Sequence, residues 1–121
     1  MGANDRLGLG VIGSGDRGRY DMRCFQKDPT VAVVALCDVY DLQLDQARKN
    51  APDAKTFTDH RRLLEMKEVD IVLVATPDHW HAPIAIDTLN AGKDLYCEKP
   101  LTLTVEEGPR IVKAARVNNR I

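Results

Sequence analysis

The chain has 121 residues and a formal net charge of −1, from 17 Lys and Arg against 18 Asp and Glu. Hydrophobic residues make up 44% and charged residues 29% of it, which is typical of a globular domain and excludes a disordered or fibrous protein. The length predicts a single domain, the even charge balance argues against a nucleic-acid partner, and no apolar run is long enough to span a membrane.

Five short apolar segments alternate with longer mixed segments, an alternation that predicts β-α-β units around a parallel sheet. The predicted strands cover Leu7–Ile12, Val31–Cys37, 54–57, 71–75 and Asp94–Cys97, and the predicted helices cover 17–27, 42–49, 59–66, 81–91 and 105–118. The second and fourth strands are almost unbroken runs of Val, Ile, Leu and Ala, as expected for strands covered by helices on both faces. The sequence therefore predicts a doubly wound α/β domain.

Helix ends are marked by capping residues and by one proline. Gly92 follows the fourth predicted helix and is a typical stop, while Thr104 and Glu107 have the spacing of a capping box that opens the last helix. Pro109 conflicts with a helix that begins at residue 105, because proline lacks the amide hydrogen that a helix interior needs. We expect a kink there or a later start.

The three cysteines, Cys24, Cys37 and Cys97, are odd in number and show no C-x-x-C spacing. We interpret them as reduced thiols of a reducing compartment, so the chain as given is expected in the cytoplasm. Cys97 lies beside the candidate site described below, and we interpret it as a small apolar filler rather than a nucleophile.

A glycine-rich loop, G-x-G-x-x-G, separates the first predicted strand from the first helix. In this motif the first glycine permits a tight turn, the second lets the backbone approach a pyrophosphate, and the third lets helix and strand pack closely. A plain glycine turn is the alternative. Arg17 would add a positive charge near a phosphate, and Asp16 would add a negative one. We assign the whole loop to cofactor binding: Gly13, Ser14, Gly15, Asp16, Arg17 and Gly18.

Asp38 lies 20 residues after Gly18, at the end of the second predicted strand. This is where a dinucleotide-binding domain places an acid that accepts hydrogen bonds from the adenosine ribose. The alternative is a helix N-cap for the next helix. A carboxylate here would repel a 2′-phosphate, so we predict NAD in preference to NADP.

The other chemically interesting residues also follow predicted strands, at 76–81 and 98–100. In a doubly wound sheet these strand ends lie at one rim, where ligands bind. The candidate residues of the rim are Thr76, Pro77, His81, Glu98 and Lys99. His79 and His81 have an H-x-H spacing, but no further ligand set accompanies them, so we predict no metal site.

Together, residues 13–18, Asp38, the Thr76-Pro77 loop with His81, and Glu98-Lys99-Pro100 resemble the Gfo/Idh/MocA family of NAD(P)-dependent oxidoreductases. The resemblance implies that residues 1–121 form an NAD-binding Rossmann domain, truncated before its last strand. A larger C-terminal substrate domain would normally follow, and it is absent from this chain. The implied reaction moves a hydride between NAD and a sugar- or cyclitol-type secondary alcohol.

The resemblance also implies individual roles. Lys99 would be the catalytic residue beside the nicotinamide, partly desolvated and able to move the hydroxyl proton; a surface lysine paired with Glu98 is the alternative. Glu98 would contact the cofactor, and Pro100 would follow a cis peptide. Thr76, Pro77 and His81 would lie beneath the cofactor, whereas Trp80 is either a hydrophobic plug or part of a domain interface.

Several functions stay open at this point. The same family contains NAD-dependent glycoside hydrolases, and a non-catalytic nucleotide-binding fragment is a further alternative. We expect this chain alone to bind cofactor without turnover, because a sugar-like substrate would need the second domain. An uncovered sheet edge could promote a homo-oligomer. Relatives often carry an export signal before a start such as residues 2–6, so the parent protein could be exported.

Overall fold

The computed structural model describes residues 5–121. Strands and helices alternate along the chain. The strands are β1 (Leu7–Ile12), β2 (Val31–Cys37), β3 (Lys55–Phe57), β4 (Ile71–Val74) and β5 (Asp94–Cys97). The helices are α1 (Asp16–Phe25), α2 (Asp41–Arg48), α3 (His60–Leu64), α4 (His81–Asn90) and α5 (Glu107–Asn118), and a 3-10 turn spans Asp78–Trp80.

The five strands form one parallel sheet in the order β3-β2-β1-β4-β5. This order reverses direction between β1 and β4, as it does in a doubly wound Rossmann sheet. The predicted fold class is confirmed. Because all strands are parallel, the carboxyl ends of β1, β2, β4 and β5 lie at the same rim, which is where the candidate residues follow them.

The pairing of β1 with β2 contains one irregularity. Leu9 pairs with Val33 and the next residue, Gly10, pairs with Ala35, so Val34 is an extra residue in β2. An inserted residue of this kind shifts which side chains face each side of the sheet beyond it. The side chains of β2 therefore switch faces of the sheet before the strand reaches the rim.

Both faces of the sheet are buried. One cluster joins β1, β2 and β4 to α1 and α2 and includes Leu9, Val11, Met22, Leu36, Leu44 and Leu73. The cluster on the other face joins the sheet to α3 and α4 and includes Ile12, Cys37, Leu63, Val72, Val74 and Ile84. A third cluster packs α4 against α5. The sheet is thus an interior layer, which explains its unbroken apolar strands.

The last helix begins at Glu107, two residues later than predicted. Pro109 is then its third residue, within the first turn, where a helix has no partner for an amide hydrogen. The predicted capping box is half formed: the Glu107 carboxylate accepts the Thr104 N–H at 3.3 Å, but the Thr104 side chain makes no cap bond. The proline, rather than the threonine, thus determines where this helix begins.

The open edge of the sheet at β5 is partly covered by residue 121. The Leu95 N–H donates to the Ile121 carbonyl at 2.8 Å, and the Asp94 carboxylate accepts the Ile121 N–H at 3.0 Å. Self-association through this edge stays a prediction. Across residues 5–121, no helix has the length and apolar character needed to cross a bilayer.

The three cysteines differ in exposure, which predicts their order of alkylation. Cys24 is exposed, whereas burial raises the pKa of Cys37 to about 12 and that of Cys97 to about 11. Because the thiolate is the reactive form, raised pKa values leave Cys37 and Cys97 almost wholly as thiols at pH ~8. Mass spectrometry after iodoacetamide treatment should show Cys24 labelled at least about tenfold faster than the other two.

A Cys24→Ser variant is the matched control for this prediction. It should take up little label while folded and two labels after denaturation. Fast labelling of Cys37 in the folded variant would contradict the burial described here.

Candidate functional site

The glycine loop after β1 is fixed by contacts that leave no room for side chains at two positions. Gly13 has a φ of 90°, and a Cβ there would lie 2.6 Å from the Ala75 carbonyl. A Cβ on Gly18 would lie 1.9 Å from the Gly13 oxygen. Gly15 differs, since nothing lies within 4 Å of its Cβ position. The first and third glycines are therefore required by the fold, while the second faces open space.

The open space at Gly15 adjoins the N-terminus of α1. Gly15 is the N-cap of this helix, and no side chain caps its first turn. The first-turn N–H groups and the positive end of the helix dipole are consequently available to an anion. This donor set fits the pyrophosphate of a dinucleotide, and a side chain at Gly15 would fill the space it needs.

Ser14 supports the loop from the inside. It is fully buried, its N–H donates to the Asp38 carboxylate at 2.8 Å, and its hydroxyl donates to the Cys37 carbonyl at 3.3 Å. Ser14 thus points away from the open space and ties the glycine loop to the end of β2. Ser14 would therefore act on a cofactor indirectly, by holding the Asp38 carboxylate in place.

Asp38 lies beside the loop with both oxygens engaged. Besides Ser14, it accepts the Tyr40 N–H at 2.9 Å. The N-cap of α2 is Tyr40, not Asp38, so the structure does not support the alternative of a helix cap. A carboxylate held by two backbone amides has a fixed position, as recognition of a ribose requires.

A cleft of about 360 Å³ opens between the glycine loop, the end of β2 and the end of β4. Five predicted residues line it: Gly13, Gly15, Asp38, Thr76 and Pro77. Trp80, predicted as a hydrophobic plug or part of a domain interface, also lines it, and sequence reasoning missed four further polar or aromatic residues of its wall: Tyr40, Gln43, Thr58 and His60. Thr58 and His60 directly follow β3, so the rule that ligands bind at strand ends could have identified them.

Arg17 lies outside this cleft and connects α1 to the loop after β5. Its Nε donates to Glu98 at 2.8 Å, and its Nη2 lies 3.1 Å from Asp21. Arg17 is predicted to add a positive charge for a phosphate, and that phosphate would have to compete with two carboxylates for the guanidinium. Its side chain remains 59% exposed, so the ion pairs leave part of the guanidinium free.

Arg19 is a second arginine of the loop that sequence reasoning missed. Its guanidinium donates to the Ser14 carbonyl at 2.9 Å and pairs with the exposed Asp16 carboxylate. This ion pair offsets the negative charge that Asp16 brings to the first turn of α1. Arg19 lies one residue past the motif, and nothing in the sequence distinguishes it from Arg17.

Asp21 and Glu98 form a buried carboxyl pair on either side of Arg17. Burial raises the pKa of Asp21, and the hydrogen bond it makes to Glu98 raises it further. The same bond lowers the pKa of Glu98, which also accepts from Arg17. Repulsion between the two carboxylates disfavours the ionisation of both at once, whereas the Arg17 guanidinium between them favours it.

The loop after β5 carries Lys99 on a cis peptide bond to Pro100, as the family resemblance implied. Glu98 accepts the backbone N–H of Lys99 at 3.1 Å. Within residues 5–121 no carboxylate pairs with the Lys99 ammonium, so the alternative of a Glu98–Lys99 ion pair is not formed. Lys99 is exposed, and the partial desolvation expected for it is not provided by the described residues.

His81, the first residue of α4, is 1% exposed and joins two loops. Its Nε2 lies 2.8 Å from the Thr76 carbonyl oxygen, and its Nδ1 lies 2.6 Å from that of Pro100. It does not line the cleft, whereas the neighbouring Trp80 does and is half exposed. His79 is exposed, and the described residues contain no group of three potential metal ligands.

These features define a dinucleotide-binding domain, and comparisons with known proteins agree. A family model described as "Oxidoreductase family, NAD-binding Rossmann fold" matches residues 7–121. A curated relative from Shewanella sp. (strain ANA-3), named glycosyl hydrolase family 109 protein 1, is 38% identical in an alignment of 116 residues that covers 88% of this chain and 25% of the relative. The chain belongs to the Gfo/Idh/MocA oxidoreductase family.

Solved structures give the same result. GenD2 from gentamicin A biosynthesis, in complex with NAD, has a TM-score of 0.91 and 27% identity over 100% of this chain and 34% of its own. Myo-inositol 2-dehydrogenase from Lactobacillus plantarum has a TM-score of 0.86 and 28% identity over 96% and 35%. The chain is an NAD-binding Rossmann domain, and it spans about a quarter of the length of the curated relatives it matches.

Proposed function

We propose that residues 1–121 are the NAD-binding domain of an oxidoreductase that acts on a secondary alcohol of a sugar or cyclitol. The observation that carries this proposal is the position of Lys99, at the same rim as the glycine loop and Asp38. The glycine loop would hold the pyrophosphate, Asp38 the ribose, and the Thr76-Pro77 loop the far wall of the cleft. A second domain would supply the substrate pocket.

The chemistry divides between cofactor and protein. When bound, NAD supplies the acceptor for the hydride of the carbinol carbon. Lys99, in its neutral form, would take the hydroxyl proton, so that the alcohol becomes a ketone. Its exposure in the described structure leaves the ammonium group within reach of a substrate. Oriented contact and exclusion of water would need further residues, so the chain alone should show negligible turnover.

A second candidate function is an NAD-dependent glycoside hydrolase. It is favoured by the 38% identity to proteins named glycosyl hydrolase family 109. The two reactions would share the same oxidation step at Lys99 and differ in whether the sugar is reduced again and released. In a protein that joins this domain to a substrate domain, net conversion of NAD to NADH supports the dehydrogenase, and sugar release without net reduction supports the hydrolase.

Binding of NADH to the chain itself tests the first step of the proposal. Trp80 is the one tryptophan of the sequence and lines the cleft, so its fluorescence should fall by energy transfer to NADH as the cleft fills. We expect saturable quenching and a matching calorimetric isotherm. A folded chain, judged by circular dichroism, that binds no NADH would contradict the proposed site.

A further inference from the structure

The His81 ring is held by two acceptors and no carboxylate. Both of its ring nitrogens lie within hydrogen-bond distance of backbone carbonyls, 2.8 Å from Thr76 and 2.6 Å from Pro100. A carbonyl oxygen can only accept, so each of these bonds needs a hydrogen on the ring nitrogen. A neutral imidazole carries one such hydrogen, and only the imidazolium carries two. Both bonds can therefore form together only on a doubly protonated ring.

The two carbonyls belong to the two loops that flank the proposed nicotinamide position. Thr76 follows β4 and precedes Pro77 in the wall of the cleft, and Pro100 directly follows Lys99. The ring is 1% exposed, so neither bond is shared with bulk water. His81 thus connects Lys99 to the opposite side of the rim through the backbone and does not touch the cleft.

The charged groups on the neighbouring segments are engaged elsewhere. Glu98 binds Arg17, Asp87 of α4 binds His60 at 2.8 Å, and the Asp78 carboxylate lies 3.9 Å from the His79 ring. Lys99 is exposed. Among the described residues no carboxylate oxygen lies within 4.0 Å of a His81 ring nitrogen, and the N-terminus of α4 disfavours positive charge. On a doubly protonated ring, the two carbonyls alone would accept the ring hydrogens.

We propose that His81 is a positioning residue: its doubly protonated ring ties the Thr76-Pro77 loop to the loop of Lys99, and loss of one proton releases one of the two. The role of Lys99 in this proposal rests on the proposed function, whereas the bridge itself does not. After deprotonation, one nitrogen lone pair would face a carbonyl oxygen at less than 3 Å, and that contact must open.

Nuclear magnetic resonance of the free chain labelled with ¹⁵N-histidine tests the bridge directly and needs no cofactor. His79→Gln and His60→Gln variants assign the three histidine rings. At low pH both His81 nitrogens should resonate as protonated, with two slowly exchanging ring N–H signals, and at high pH one of them should be unprotonated. An unprotonated nitrogen at every pH would overturn the proposal.

NADH affinity then tests the consequence for the cleft. The Kd should be about tenfold higher at a pH where the spectra show one His81 ring proton than at a pH where they show two, in the wild type and equally in His79→Gln, the exposed neighbouring histidine. His81→Gln should show a weaker Kd with no such pH dependence. The same pH dependence in His81→Gln would contradict the proposal. If this variant does not fold, the histidine spectra of the wild type still show whether the His81 ring carries two protons.

Discussion

Replacing Gly15 with alanine is expected to abolish NADH binding while leaving the domain folded. Nothing lies within 4 Å of the Cβ position in the chain itself, and the backbone φ of −69° is open to any residue. The free energy of unfolding should therefore fall by no more than about 1 kcal/mol, the cost of alanine at an N-cap. The methyl group would occupy the space at the start of α1 proposed for the pyrophosphate, and affinity should fall at least about 100-fold.

Gly18→Ala is the matched variant, with the same change three residues later and the opposite result. Its Cβ would lie 1.9 Å from the Gly13 carbonyl oxygen, so loop and helix must separate. We expect the free energy of unfolding to fall by about 3 kcal/mol, measured by urea denaturation with circular dichroism. Equal effects of the two substitutions on stability would show that the glycines do not have the separate roles described here.

Asp38→Asn is expected to weaken NADH binding by about 10- to 100-fold and to bring the Kd values of NADH and NADPH close to each other. The carboxylate accepts two hydrogen bonds from the ribose hydroxyls in the proposed complex, and an amide can accept at only one atom. The charge that repels a 2′-phosphate is removed at the same time. Calorimetric titration with both cofactors measures the two effects separately.

Asp41→Asn is the control for this prediction. It removes the same charge three residues further along, at the exposed start of α2, and should leave the preference for NADH unchanged. Because Asp38 also holds the N–H groups of Ser14 and Tyr40, melting curves must accompany the titrations. If Asp38→Asn keeps the wild-type preference for NADH over NADPH, then Asp38 does not bind the ribose as proposed.

The backbone of this site could be predicted from the sequence because each signal is local. Almost unbroken apolar runs locate β2 and β4, and the glycine spacing locates the turn between β1 and α1. The rim follows from topology, since parallel strands place their carboxyl ends together. The later start of α5 comes from Pro109, because proline is tolerated within the first turn of a helix.

Side-chain direction could not be predicted, because it depends on partners distant in the chain. Ser14 lies within the glycine motif yet donates to residues 23 and 24 positions away. Arg17 and Arg19 are equivalent in sequence, but one reaches Glu98 and the other the Ser14 carbonyl. His81 was assigned to the cofactor, and its ring instead joins two backbone carbonyls.

The extra residue in β2 decides which way Asp38 faces. Before it, Val31 and Val33 pack in the cluster beneath α1, and uninterrupted alternation would place the odd-numbered residues 35 and 37 there as well. Instead Leu36 joins that cluster, and Cys37 packs on the opposite face. The next residue, Asp38, consequently turns towards α1 and meets Ser14. The proposed preference for NAD over NADP would thus depend on one extra residue in β2, four positions before Asp38.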